Sequence, residues 1–139
     1  MADGLLAYPQ GSVRSIAYSP DGRQLATGNI QTTKSSPDIA VAVWDANTHA
    51  LLATPLGGPS EDAADNSALA YTADGRYLLA AFRDKDGPID IIDAHTLRLV
   101  DTVHAFSVSM FAIAVERRGP RFVVTSGRNL MIWTLQDNP

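Results

Sequence analysis

Apolar residues in this chain come in short runs, often alternating with polar positions, and turn-forming residues end each run. A period of two with β-branched and aromatic enrichment predicts half-buried β-strands rather than helices. The pattern gives strands over 13–19, 24–30, 39–44 and 51–54, then 67–72, 77–82, 89–93 and 97–103, then 109–116, 121–127 and 129–135. Between them lie tight turns such as Pro20-Asp21-Gly22, where proline presets its φ and glycine takes the left-handed position. In Asp45-Ala46-Asn47-Thr48 the aspartate and asparagine side chains suit bonds to nearby backbone amides.

The runs repeat as a group. Ile16-Ala17-Tyr18-Ser19-Pro20-Asp21-Gly22-Arg23 recurs as Leu69-Ala70-Tyr71-Thr72-Ala73-Asp74-Gly75-Arg76, with a weaker copy at Ile113-Ala114-Val115-Glu116-Arg117-Arg118-Gly119. Val43-Trp44-Asp45-Ala46-Asn47-Thr48 is echoed by Ile91-Ile92-Asp93-Ala94-His95-Thr96, and Ile132-Trp133-Thr134 begins a third version. A spacing of about 40–55 residues in all-β sequence is that of propeller blades. The chain is therefore expected to be one all-β repeat domain of four-stranded antiparallel blades over 1–139. Residues 1–11 form an outer strand, 12–58 the first blade, 59–105 the second, and 106–139 a third that lacks its own outer strand. Leu5-Leu6-Ala7-Tyr8-Pro9-Gln10-Gly11 matches Leu51-Leu52-Ala53-Thr54-Pro55-Leu56-Gly57 at five of seven positions, so the N-terminal stretch is the candidate for the missing strand.

These repeats resemble WD40 repeats over nearly the whole chain. The resemblance is carried by Ser19-Pro20-Asp21-Gly22-Arg23 with Leu25-Ala26-Thr27-Gly28, by Val43-Trp44-Asp45, and by Thr125-Ser126-Gly127 with Ile132-Trp133. It implies a β-propeller and a scaffold for protein interactions. The chain departs from the family pattern in two ways. No copy has the Gly-His pair before its first strand, and the Trp-Asp dipeptide occurs once, at Trp44-Asp45. The second copy is also similar to lactonase-like propeller repeats, at Ala73-Asp74-Gly75-Arg76-Tyr77-Leu78 and Ile89-Asp90-Ile91-Ile92-Asp93.

Propellers have about 4–8 blades. Three blades belong either to a larger chain or to an assembly, and a cyclic dimer would complete six. Self-association is expected to bury Leu5 and Leu6 of one copy against Leu130 and Ile132 of another. In that arrangement the N-terminal strand of one chain completes the third blade of the next.

Composition narrows the chemistry. With 139 residues, 45% apolar content and 19% charged content, the chain is long enough to bury a core. No apolar run is long enough to span a membrane, and no signal peptide is visible, so a cytoplasmic setting is expected. A net charge of −4 with scattered Lys and Arg argues against nucleic acid as a partner. Cysteine is absent, which removes thiol chemistry. His49 and His95 fall in or beside matched turns and His104 ends an outer strand, and none has the spacing of a metal site. No Gly-x-Ser-x-Gly elbow and no phosphate-cradling glycine loop occurs. No catalytic residue, cofactor or metal is expected.

One grouping stands out. Asp38, Glu61, Asp62, Asp65, Asp84 and Asp86 all fall in loops that an antiparallel blade sends to one rim. They are candidates for docking a basic protein partner, against the plainer reading of a solvated, solubilising surface. Trp44 and Trp133 are expected in the core. The function expected is a non-catalytic interaction scaffold completed by self-association. The alternatives are a lactonase-like propeller enzyme and a segment, natural or engineered, of a larger propeller.

Overall fold

A computed structural model describes residues 12–30, 41–55, 66–82, 88–104 and 112–136. Every regular element among them is a strand. The first sheet contains β1 (Ser12–Tyr18), β2 (Gln24–Ile30), β3 (Val41–Asp45) and β4 (Leu51–Ala53), hydrogen-bonded in that order. The second contains β5 (Asn66–Tyr71), β6 (Tyr77–Phe82), β7 (Pro88–Asp93) and β8 (Arg98–His104), again in chain order. The third holds β9 (Ala112–Val115), β10 (Arg121–Ser126) and β11 (Asn129–Thr134). All pairings are antiparallel. The expected strand order holds, with ends shifted by a residue or so. The expected strand at 109–116 is described only as Ala112–Val115. The N-terminal strand with Leu5 and Leu6 lies outside the described residues.

The turns explain why the repeats look alike. Ser19 Oγ donates to Asp21 Oδ1 at 2.6 Å, and the Gln24 amide donates back to Ser19 Oγ at 2.9 Å. The second sheet repeats this, with Thr72 Oγ1 donating to Asp74 Oδ1 at 2.7 Å and the Tyr77 amide donating to Thr72 Oγ1 at 3.1 Å. Both turns close through a left-handed glycine, Gly22 at φ 71° and Gly75 at φ 73°. At the next hairpin, Asp45 Oδ1 accepts from the amides of Asn47 and Thr48, as Asp93 Oδ1 does from His95 and Thr96. Each hairpin then passes through a left-handed residue, His49 at φ 64° and Leu97 at φ 58°.

Pairing sorts each sheet into two faces. Tyr18, Leu25 and Trp44 share a leading face with Ile16 and Thr27, while Ala17, Ala26 and Val43 share the trailing face. The trailing face of the first sheet packs against the leading face of the second, where Leu69, Tyr71, Leu78, Ala80 and Ile92 are buried. The trailing face of the second sheet, with Leu79, Ala81, Ile89 and Ile91, packs in turn against Phe122 and Val124 on the leading face of the third. Full burial of a side chain such as Leu78 or Ile92 contributes about 1.5–3 kcal/mol. The core is therefore the two inter-sheet layers, and the same leading-on-trailing stack is used twice.

Candidate functional site

Two surfaces follow from this stack. The first is the pair of faces at its ends. The leading face of the first sheet presents Ile16 and Tyr18, exposed by 66% and 64%. The trailing face of the third presents Leu130 and Ile132, exposed by 72% and 70%. Ala112 and Ala114 are exposed beside them. Large apolar residues concentrated on one sheet face mark a contact surface, whereas scattered ones do not. A groove of about 330 Å³ runs along the third sheet's open face, lined by Ala114, Glu116, Arg121, Val123 and Ile132 among others. Arg121 is held there by Glu116, through bonds of 3.0 and 2.6 Å from Nε and Nη2. That pairing draws the Glu116 carboxyl below its ordinary range.

The second surface is the rim carrying the matching turns of the first two sheets. A groove of about 480 Å³ lies between them, lined by Ser19, Asp21, Arg23, Gln24, Asp74 and His95 among others. Its carboxylates are fixed acceptors. The Ser19 hydroxyl and then the Arg23 amide lower the Asp21 pKa. At Asp74 burial pulls upward, but the Thr72 hydroxyl and the Arg76 amide outweigh it, so the net shift is downward. Gln24 spans the inter-sheet seam beneath this groove. Its Nε2 donates to the Ala94 carbonyl at 2.9 Å, and its Oε1 accepts from the Tyr71 hydroxyl at 3.1 Å. Burial pushes the Tyr71 phenol well above its ordinary range, so it stays a neutral donor.

The expected site residues divide sharply. Leu130 and Ile132 are exposed on one face of the third sheet. Asp38, Glu61, Asp62, Asp65, Asp84 and Asp86 lie outside the described residues, as do Leu5 and Leu6. His49, His95 and His104 are exposed. Among the described residues no group of three or more His, Asp or Glu converges as metal ligands would. No helix among them is long and apolar enough to cross a membrane. Trp44 is buried and its Nε1 donates to Thr27 Oγ1 at 2.9 Å. Trp133 is only partly buried; it stacks on Phe122 with centroids 6.3 Å apart. Sequence reasoning missed the Gln24 clasp, which joins two sheets through partners far apart in the chain and carries no local signal.

Comparison with solved structures defines the class. A crystal structure of the RRP9 WD40 repeats matches with a TM-score of 0.76 at 20% identity, covering 94% of this chain and 37% of that one. A structure of U3-55K matches with the same score and identity, covering 94% of this chain and 38% of that one. The fold is that of the WD40-type β-propeller, and this chain holds three successive blades of it. It spans less than two fifths of the length of either solved structure. No family model matches the sequence, and no curated protein matches it at a significant level.

Proposed function

We infer that this chain is a non-catalytic protein-interaction scaffold built from WD40-like blades and completed by self-association. The observation that carries the reading is the exposure of Leu130 and Ile132 on the same face of the third sheet. Removing such a face from water is favourable at about 25 cal/mol per Å² of apolar area. Similarity in fold to WD40 repeats supports the scaffold role, since a propeller offers rigid blades with variable loops, and binding residues concentrate on such loops. Fold alone does not assign function.

The second copy of this chain is the first partner in this reading, in a cyclic dimer of six blades. A basic protein on the rim of Asp38, Glu61, Asp62, Asp65, Asp84 and Asp86 is the second, and the setting is cytoplasmic. The test is sedimentation of the full chain beside its Leu130→Asp/Ile132→Asp variant. The account expects a dimer for the parent chain and a folded monomer for the variant. Equal sedimentation of the two would remove these residues from any self-contact.

A further inference from the structure

The two open faces are the two halves of a junction that the chain already makes twice. In the first internal junction a leading face bearing Leu69 and Tyr71 covers a trailing face bearing Ala26 and Val43. The register assigns equivalents. Ile16 and Tyr18 stand where Leu69 and Tyr71 stand, and Val123 and Ile132 stand where Ala26 and Val43 stand. Arg121 stands where Gln24 stands, at the start of its sheet's second strand.

We propose, resting on the self-association reading, that the leading face of the first sheet in one copy stacks on the trailing face of the third sheet in another. Tyr18 of one copy meets Arg121 of the other. The occupant of each open face is thus a second copy of this chain, joined head to tail at two identical junctions. A heterologous contact of this kind closes when its rotation permits, and six blades lie within the range of closed propellers, about 4–8.

Residue chemistry favours this match over like-on-like contact. Tyr71 and Gln24 form a polar clasp across the first junction, with Gln24 also bound to the Ala94 carbonyl. The second junction has Val115 and Tyr77 at those places and is apolar there. The proposed junction restores a polar pair. Tyr18 supplies a phenolic oxygen, and Arg121 supplies a guanidinium with donors beyond the two that Glu116 engages. Ala46, the counterpart of Ala94, offers its carbonyl to the same guanidinium. The groove lined by Ala114, Arg121, Val123 and Ile132 gives the phenyl ring an apolar bed. Stacking Tyr18 on a second Tyr18 would provide no cationic partner.

The absence of cysteine makes the test clean. Full-length Tyr18→Cys and Arg121→Cys chains are co-expressed or prepared separately, and each sample is treated with a short bismaleimide. Both positions are exposed, so each variant should fold. Cross-linked dimer is expected in the mixed sample and in neither single-variant sample. Cross-linking of Tyr18→Cys with itself would overturn the head-to-tail arrangement. No cross-link in the mixture, with a dimer mass retained by light scattering, would overturn this junction and leave self-association standing. A monomer mass for the unmodified chain would overturn both. Ile16→Cys with Ile132→Cys repeats the test with the polar clasp intact, and the same outcomes apply.

Discussion

The indole nitrogen of Trp44 donates to the Thr27 hydroxyl at 2.9 Å, deep in the first sheet. Trp133 occupies the same place in the third sheet, where the residue equivalent to Thr27 is Val124. Its Nε1 is buried with no hydrogen-bond partner. A buried donor left unpaired costs about 1–3 kcal/mol. Val124→Thr should therefore raise stability by about 0.5–1.5 kcal/mol, the net value of a typical hydrogen bond. Thr27→Val should lower stability, because it orphans Trp44 in the same way. Urea unfolding of the two variants beside the parent checks both signs. Destabilisation by Val124→Thr would mean that the hydroxyl fails to reach the indole.

Trp44 packs in the first sheet and Trp133 on Phe122, but they are not equally buried. Trp44→Ala should cost about 3–5 kcal/mol, as large-to-small core changes do. Trp133→Ala should cost less, because part of its ring already faces water and its indole contributes no hydrogen bond. Thermal melts rank the two. A larger loss at Trp133 would contradict the burial argument.

Acid should unfold the blades through their turns. The amides of Thr48 and Asn47 hold Asp45 below its ordinary pKa, and the amide of Thr96 leads the same effect at Asp93. A carboxylate depressed in the folded state contributes stability above its unfolded value, near 4, and loses it as pH falls through the lower folded value. Asp90 runs the other way. Burial raises its pKa against the opposing bonds of Thr102 and the charge of His104. Its contribution is present below the unfolded value and lost as pH rises through the raised one. Stability should thus drop below about pH 4 in the parent, less steeply in Asp45→Ala. Asp90→Asn should be neutral or stabilising at pH 7, since the Thr102 hydroxyl can still donate to the amide oxygen. Denaturant midpoints across pH give the answer, and an unchanged acid limb in Asp45→Ala would contradict the turn assignment.

The proposed docking of a basic protein on Asp38, Glu61, Asp62, Asp65, Asp84 and Asp86 would carry an electrostatic signature. Under the proposed docking, replacing Glu61, Asp62 and Asp65 with Ser should slow association with a basic protein while changing the melting temperature little. Raising salt should weaken the parent's binding, given a screening length of about 8 Å at physiological ionic strength. Stopped-flow association at two salt concentrations checks this. Rates indifferent to both changes would move docking to the groove between Asp21 and His95.

Much of the fold was legible because each turn is written locally. Ser19 with Asp21, Thr72 with Asp74, and Asp45 with Thr48 close their own loops, so the motif and the structure coincide. The fate of each face was not legible. Tyr18 and Tyr71 sit in nearly identical motifs, yet Tyr71 is 4% exposed and Tyr18 is 64% exposed. Only Tyr71 has a sheet stacked over it, and stacking is a long-range property that no repeat unit encodes. The Trp133 orphan could have been read by aligning Val124 with Thr27. The Gln24 clasp could not, because it joins residues 47 positions apart across two sheets.

The most direct test of the account is the solution mass of the full chain by light scattering across a dilution series. Six blades built from two chains predict twice the 14.9 kDa chain mass at high concentration, falling toward one chain mass on dilution, and a single-chain mass throughout for the Leu130→Asp/Ile132→Asp variant. A single-chain mass at every concentration, with the parent chain fully folded, would contradict completion by self-association.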